Sequence, residues 1–340
     1  MMKYIFLVLF MFSTFYGRCE NDMLIINSFD TIPCFKLSRV AQTVDSISVK
    51  EKGLKGAQQL FLSKDYIFLQ GMSSISQYTR SGKFVRIINC ENFTLDIAGD
   101  VARNELYIPT GHQGQYDLKC YDMHTGQLKR KFSLDSQDII SCVFFANELW
   151  MLRGAYQNST IEYSLSKMNC QTGIIHNLVS FHKEIYSNGL AMISKGNFSI
   201  YKGRLFFSLN TDNTLYEIRG NNIVPYLQWG IEPKERYNPK HEIIQGKINV
   251  GRYLFIEYGL MPLTEEGQHE YYWFVKDLES NKMFNVQMLY KKGMCTRGTE
   301  DDICHSGHFT FHPLYSLPNH FYFTKSTDDG LTFYIVKVKE

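Results

Sequence analysis

Most signatures of catalysis are missing from this 340-residue sequence. It has no Gly-x-Ser-x-Gly elbow and no glycine-rich phosphate loop, so neither an activated serine nor a nucleotide cradle is written into it. None of its eight cysteines stands in the paired CxxC spacing of a zinc site. Charge is close to balance, with 36 Lys and Arg against 34 Asp and Glu. The cations are scattered rather than gathered into a stripe, which argues against nucleic acid as a partner. No Pro/Gly/Ser-rich linker and no long charge run divides the chain, so its body reads as a single domain.

Long apolar runs are absent too, with one exception. Tyr4 to Phe12 is almost unbroken, preceded by Lys3 and followed by Ser13, Thr14 and Gly17. The run is shorter than the ~20 apolar residues needed to cross a bilayer, so residues 1–18 read as a secretory signal. Cys19 follows directly and is the candidate acylation site of a lipoprotein signal, which Gly17 fits and Arg18 does not. The implied location is outside the cytoplasm, in the periplasm or on the outer-membrane surface, with the membrane reached only through such a lipid anchor. Export permits disulfides. Cys295 and Cys304 bracket a short polar loop and form the first candidate pair, with Cys142 and Cys170 next.

What the sequence does have is a repeated turn. Tyr121-Asp122-Met123-His124-Thr125-Gly126-Gln127 recurs as Tyr78-Thr79-Arg80-Ser81-Gly82-Lys83 and as Met168-Asn169-Cys170-Gln171-Thr172-Gly173. Looser copies are Arg219-Gly220-Asn221-Asn222 and Lys276 to Lys282. The glycines are 44 and 47 residues apart. A period of that size with strands on both sides predicts propeller blades. Gly82, Gly126 and Gly173 would take the positive φ that such hairpins need, with Asn221 and Asn281 as substitutes. Aromatic residues, 15% of the chain, favour strands.

The strand pattern predicts an all-β, six-bladed β-propeller over residues 37–340, after a lead-in at 19–36. Blades start near Gln59, Leu95, Ile139, Phe198 and Ile243. The last unit offers only His308–Phe311, Phe321–Thr324 and Leu331–Val338. The spare alternating segment Val44–Val49 is expected to pair with Leu331–Val338 as its fourth strand and close the ring.

Residues 62–69 and 76–84, then 104–108 and 121–126, with the segment 37–47, resemble the six-bladed propeller proteins exported to the cell envelope in Bacteroidetes. The likeness is clearest over residues 37–132. Where many members carry a Gly-Pro-Gly-Glu-like loop, this chain reads Asn89-Cys90-Glu91-Asn92-Phe93-Thr94. The resemblance implies an envelope protein, often lipid-anchored, with no settled activity.

Cys304 to His312 is dense in metal-ligand types, and His308 and His312 would share one face of a strand. No Glu stands between them as in HExxH, so no metal site is assigned, nor any cofactor or catalytic set. The sharper expectation concerns the turns joining second to third strands, which gather at one end of a propeller and can carry function. They place His112, Tyr156, Asp212, Glu265, His269 and Asp328 as ligand-binding candidates. The expected role is an envelope binding or scaffold module for a protein, peptide or glycan. The alternative is a propeller hydrolase or lactonase-like enzyme with a metal in the central channel.

Overall fold

A computed structural model describes residues 23–27, 30–50, 59–94, 96–112, 114–134, 137–157, 160–184, 196–209, 212–232, 237–262, 269–280, 282–291, 294–327 and 330–340. The signal segment and Cys19 lie outside them. The chain is a six-bladed β-propeller, and nearly every ordered element is a strand. No helix among the described residues is long and apolar enough to cross a membrane.

Each blade is an antiparallel meander. Blade 1 runs through Gln59–Leu62, Tyr66–Gln70, Ser74–Thr79 and Phe84–Asn89. Blades 2 to 5 follow over 93–133, 138–184, 196–232 and 237–297. Blade 6 takes His312–Pro313, His320–Thr327 and Gly330–Val338, and its fourth strand is Ala41–Val49. Val49 faces Leu331 and Val44 faces Val336, so the ring closes by N-terminal strand addition, as the sequence predicts.

The strand pattern has a packing reason. The inner strands are covered on both faces by neighbouring blades, so their side chains alternate between two seams rather than between core and water. In blade 1, Leu60, Leu62, Ile67 and Leu69 pack against Leu314 and Phe333 of blade 6. Phe61 and Phe68 point the other way, onto Leu106 and Ile108 of blade 2. Six such clusters make up the core, one per seam. Outer strands have one free face and carry charge, as in Lys129-Arg130-Lys131.

The repeated turn is built as expected and does more than turn. Gly82, Gly126 and Gly173 sit at φ +82°, +70° and +74°. Asp122 Oδ1 accepts from the N–H groups of His124 and Thr125, and Asn169 Oδ1 from those of Gln171 and Thr172. Each glycine also lies against the outer strand of the preceding blade. A Cβ on Gly82 would meet Ser48 O at 2.0 Å, and one on Gly173 would meet Phe132 at 2.7 Å. Outer-strand arginines clasp these turns: Arg86 donates to Thr125 O, and Arg130 to Cys170 O at 2.8 Å. In blade 4 the positive φ falls on Gly220 rather than the expected Asn221. Two-residue pairing of Arg219 with Asn222 sets that register. Asn281 lies outside the described residues.

Four findings go beyond or against the sequence reading. The lead-in is docked on the ring. Leu24–Asn27 adds a parallel fifth strand to the outer edge of blade 4, Ile32 bridges Val286 of blade 5, and Phe35–Lys36 pairs with Thr299–Glu300. Residues 24–27 and 30–36 thus run as a strap along the rims of blades 4 and 5 and onto the connector into blade 6. Second, 308–311 is not the first strand of blade 6. Thr299 Oγ1 bonds both the N–H and the C=O of Phe309, and Phe309 and Phe311 turn into the seam between blades 5 and 6. Third, His308 Nδ1 engages Thr299 O while His312 stacks on Tyr322, so the two imidazoles do not converge. Fourth, Cys304 is a free exposed thiol, and the expected bond to Cys295 is not formed. The N–H groups of Ile303 and Cys304 are held by Asp301, while Cys295 pairs through its backbone with Tyr290. Cys142 and Cys170 are also free, buried in the seam of blades 2 and 3.

Candidate functional site

The turns between second and third strands fall at one end of every meander, because the strands alternate in direction. His112 ends its strand opposite Gln115 and is exposed. Tyr156 faces Ile161 near the tip of blade 3, its side chain being outside the described residues. Asp212 follows the second strand of blade 4, and His269 is exposed just before the third strand of blade 5. Glu265 and Asp328 lie outside the described residues. The candidates occupy equivalent turns.

Strand length gives that end a relief. Counted from the turn joining first to second strand, the second strands of blades 3 and 5 run ten residues each, Glu148–Gln157 and Tyr253–Pro262. Blade 4 between them has six, Arg204–Leu209. At about 3.3 Å per residue, blades 3 and 5 rise on the order of 10 Å above blade 4. Blade 4 is low there at its inner strands, which end by Asp212, Asn213 and Thr214, while its outer strand Asn222–Glu232 continues past them. Asp212 is rigidly held, since Thr214 Oγ1 donates to Oδ1 at 2.9 Å and the Tyr216 hydroxyl to Oδ2. Burial and the Asp212 carboxylate together hold the Tyr216 phenol well above its ordinary range.

A second polar group set lies in the central channel, where the first strands of successive blades adjoin. Asp96 is fully buried there. Its Oδ2 accepts from Cys142 N–H of blade 3 at 2.6 Å and its Oδ1 from Ile97 N–H at 2.8 Å. The side chains of Gln59 and Ser141 bond it as well. Burial pushes its carboxyl up to about 6 despite these donors. Tyr315, in the loop between the first two strands of blade 6, plugs the channel and donates to Asn197 Oδ1 of blade 4 at 2.9 Å. The channel beside the plug narrows to a cavity of 20 Å³.

This arrangement ties blades together. Among the described residues no three His, Cys, Asp or Glu side chains converge to hold a metal. The Asp96 oxygens are occupied by four donors from three blades, so this donor set does not fit a channel cation. Sequence reasoning missed Gln59, Asp96, Ser141, Asn197, Asn249 and Tyr315. A usable signal exists in the first strands, where a lone polar residue interrupts apolar neighbours, as in Phe198-Ser199-Ile200 and Ile248-Asn249-Val250.

The loop at 89–94 is fastened by a buried lysine. Lys119 Nζ donates to Cys90 O at 2.7 Å and Glu91 Oε2 at 2.9 Å. That pair fastens the segment to the third strand of blade 2.

No protein-family model and no curated protein matches the chain. Solved structures do match its fold. A Bacteroides fragilis protein described as exported aligns over 94% of this chain and 100% of its own, at 12% identity and a TM-score of 0.62. A Bacteroides thetaiotaomicron protein of unknown function aligns over 88% of this chain and 76% of its own, at 11% identity and a TM-score of 0.50. At these identities the likeness is one of fold: this chain belongs with the β-propellers.

Proposed function

We propose that the protein is an exported binding or scaffold module of the cell envelope, whose recess over blade 4 receives an extended peptide or glycan segment. The observation that carries this is the difference in height between blade 4 and its two neighbours. A recess walled by two taller blades suits a chain-like ligand better than a compact one. The tall blades offer walls, Asp212 is a fixed acceptor at the base, and exposed His269 stands at the rim of blade 5. The signal-like residues 1–18 support export, as does the described export of the Bacteroides fragilis protein of similar fold.

The test is to replace 261–269 with a short Asn-Gly turn, alone and with Tyr156→Ala. Retention on immobilised envelope glycan and peptidoglycan-peptide fractions is then compared with wild type. The expected result is at least a tenfold loss of retention with little change in melting temperature. Equal retention by all three proteins would move the binding surface away from the recess.

A further inference from the structure

The chain enters the ring along the outer edge of blade 4, where Leu24–Asn27 pairs in parallel with Trp229–Glu232. Side chains alternate along such a strand. Ile26 is wholly buried in the seam of blades 4 and 5, beside Trp229 and Ile231. Met23 and Ile25 take the other face and are 57% and 47% exposed. They lie together over Gly230, where an added Cβ would stand 3.5 Å from both Ile25 Cδ1 and Met23 Cε. The rim of blade 4 thus carries an apolar patch where edge strands ordinarily carry charge. Blade 2 shows the ordinary case, with Lys129 and Lys131 on its outer strand.

We propose that this rim of blade 4 is the surface the protein turns toward a lipid bilayer, with Met23 and Ile25 resting in the interfacial layer. The proposal rests on the envelope reading above but not on the recess. Its first argument is where the chain leads. Both membrane-seeking features of the sequence precede Met23: the candidate acylation site Cys19, and the apolar run Tyr4 to Phe12 before it. At roughly 3.6 Å per residue at most, the four steps from Cys19 to Met23 span about 14 Å, so a lipid on Cys19 keeps this rim beside the headgroups. The second argument is chemistry. A lone lipid chain holds a protein only marginally, and an apolar contact beside it makes the attachment stable. The third is direction. Leu24–Asn27 runs toward the recess end of blade 4, so the chain before Met23 leaves toward the opposite end. The bilayer then lies at the flank of the ring, and the recess stays open to ligand. Phe84 and Ile87 make another exposed apolar pair, on the outer strand of blade 1, but no chain end leads from them to a membrane.

Methionine oxidation tests this directly. The full chain is produced in a bacterial host with an outer membrane, extracted from the envelope, and reconstituted into phosphatidylethanolamine–phosphatidylglycerol vesicles. Dilute peroxide then converts accessible methionines to sulfoxides, which mass spectrometry counts. Met72, 65% exposed in a turn of blade 1, is the internal standard for Met23. The expected result is oxidation of Met23 about fivefold slower than that of Met72, or slower still. Ile25→Asp should bring the two rates together, because a charge in the patch lifts it from the interface. Equal rates in the wild-type protein overturn the proposal, as does protection of Met23 that survives Ile25→Asp. Protection that grows with the protein-to-lipid ratio would assign the patch to a second copy instead. A chain found only in the cytoplasm would sink the envelope reading along with this one. An exported chain with equal rates would sink this one alone.

Discussion

Blades 1 to 3 are joined by their own turns, whereas blades 4 to 6 are also bound from outside by the chain that precedes the ring. In the first half, a glycine turn docks on the preceding outer strand and an arginine clasps it. Those rims stay open, and Ile87 is 59% exposed on the outer strand of blade 1. In the second half the turns are less regular, and residues 24–27 and 30–36 run along the rims of blades 4 and 5 and onto the connector into blade 6. The strap compensates for what those blades lack. Blade 6 has a first strand of only two residues, His312–Pro313. Its seam with blade 5 is filled instead by aromatic rings: Phe255 stacks on Phe311 at 3.9 Å, and Phe35 of the strap meets Phe284 and Phe311 edge-on. Regular ladders and aromatic filling thus reach the same end by different means.

The comparison can be broken at Phe35. This ring is wholly buried, and Phe35→Ala should cost about 3–5 kcal/mol in chemical denaturation. Hydrogen exchange should rise in blades 5 and 6 and stay low in blades 1 to 3. An even rise around the ring would mean that the halves do not differ in how they are held.

A somewhat smaller effect is expected at Gly82, where the closing strand of blade 6 meets the first turn of blade 1. Gly82→Ala must displace Ser48 O as well as bear the left-handed backbone, so its cost should exceed the roughly 1–2 kcal/mol of conformation alone. Gly203→Ala is the control: it has φ +68° with nothing within 4 Å of its new methyl, and should show the conformational cost only. Equal losses of stability in the two variants would refute the docking role of the turn.

The last effect depends on pH and concerns charge in the strapped half. Burial pushes the Glu257 carboxyl up to about 7. Its folded-state value is raised above the unfolded one, so ionisation opposes folding. Stability is full below the ordinary carboxylate range and declines as pH rises toward 7. Glu257→Gln should therefore stabilise by roughly 2–3 kcal/mol at pH 8 and by almost nothing at pH 4.5. A gain independent of pH would place the cause in packing rather than in charge.

The sequence alone determined the propeller, its six blades and the closing strand. These rest on local patterns: a turn that needs positive φ at Gly82, Gly126 and Gly173, and apolar alternation between turns. Such features depend on backbone sterics and side-chain period, which neighbours along the chain already specify. Tertiary structure decided whatever depends on residues far apart in sequence. Leu24–Asn27 looks like any short apolar segment until the edge of blade 4 is there to receive it. The run from His308 to Phe311 alternates like a strand, yet Thr299 and the aromatic seam draw it out of the sheet. Cys295 and Cys304 are close in sequence, but one lies in a hairpin and the other in a loop pinned by Asp301. The relief over blade 4 depends on one short second strand standing between two longer ones. Asp96, Tyr315 and Asn197 became a set only when the ring brought separate blades around one axis, because a polar residue's role in a core depends on which partners reach it.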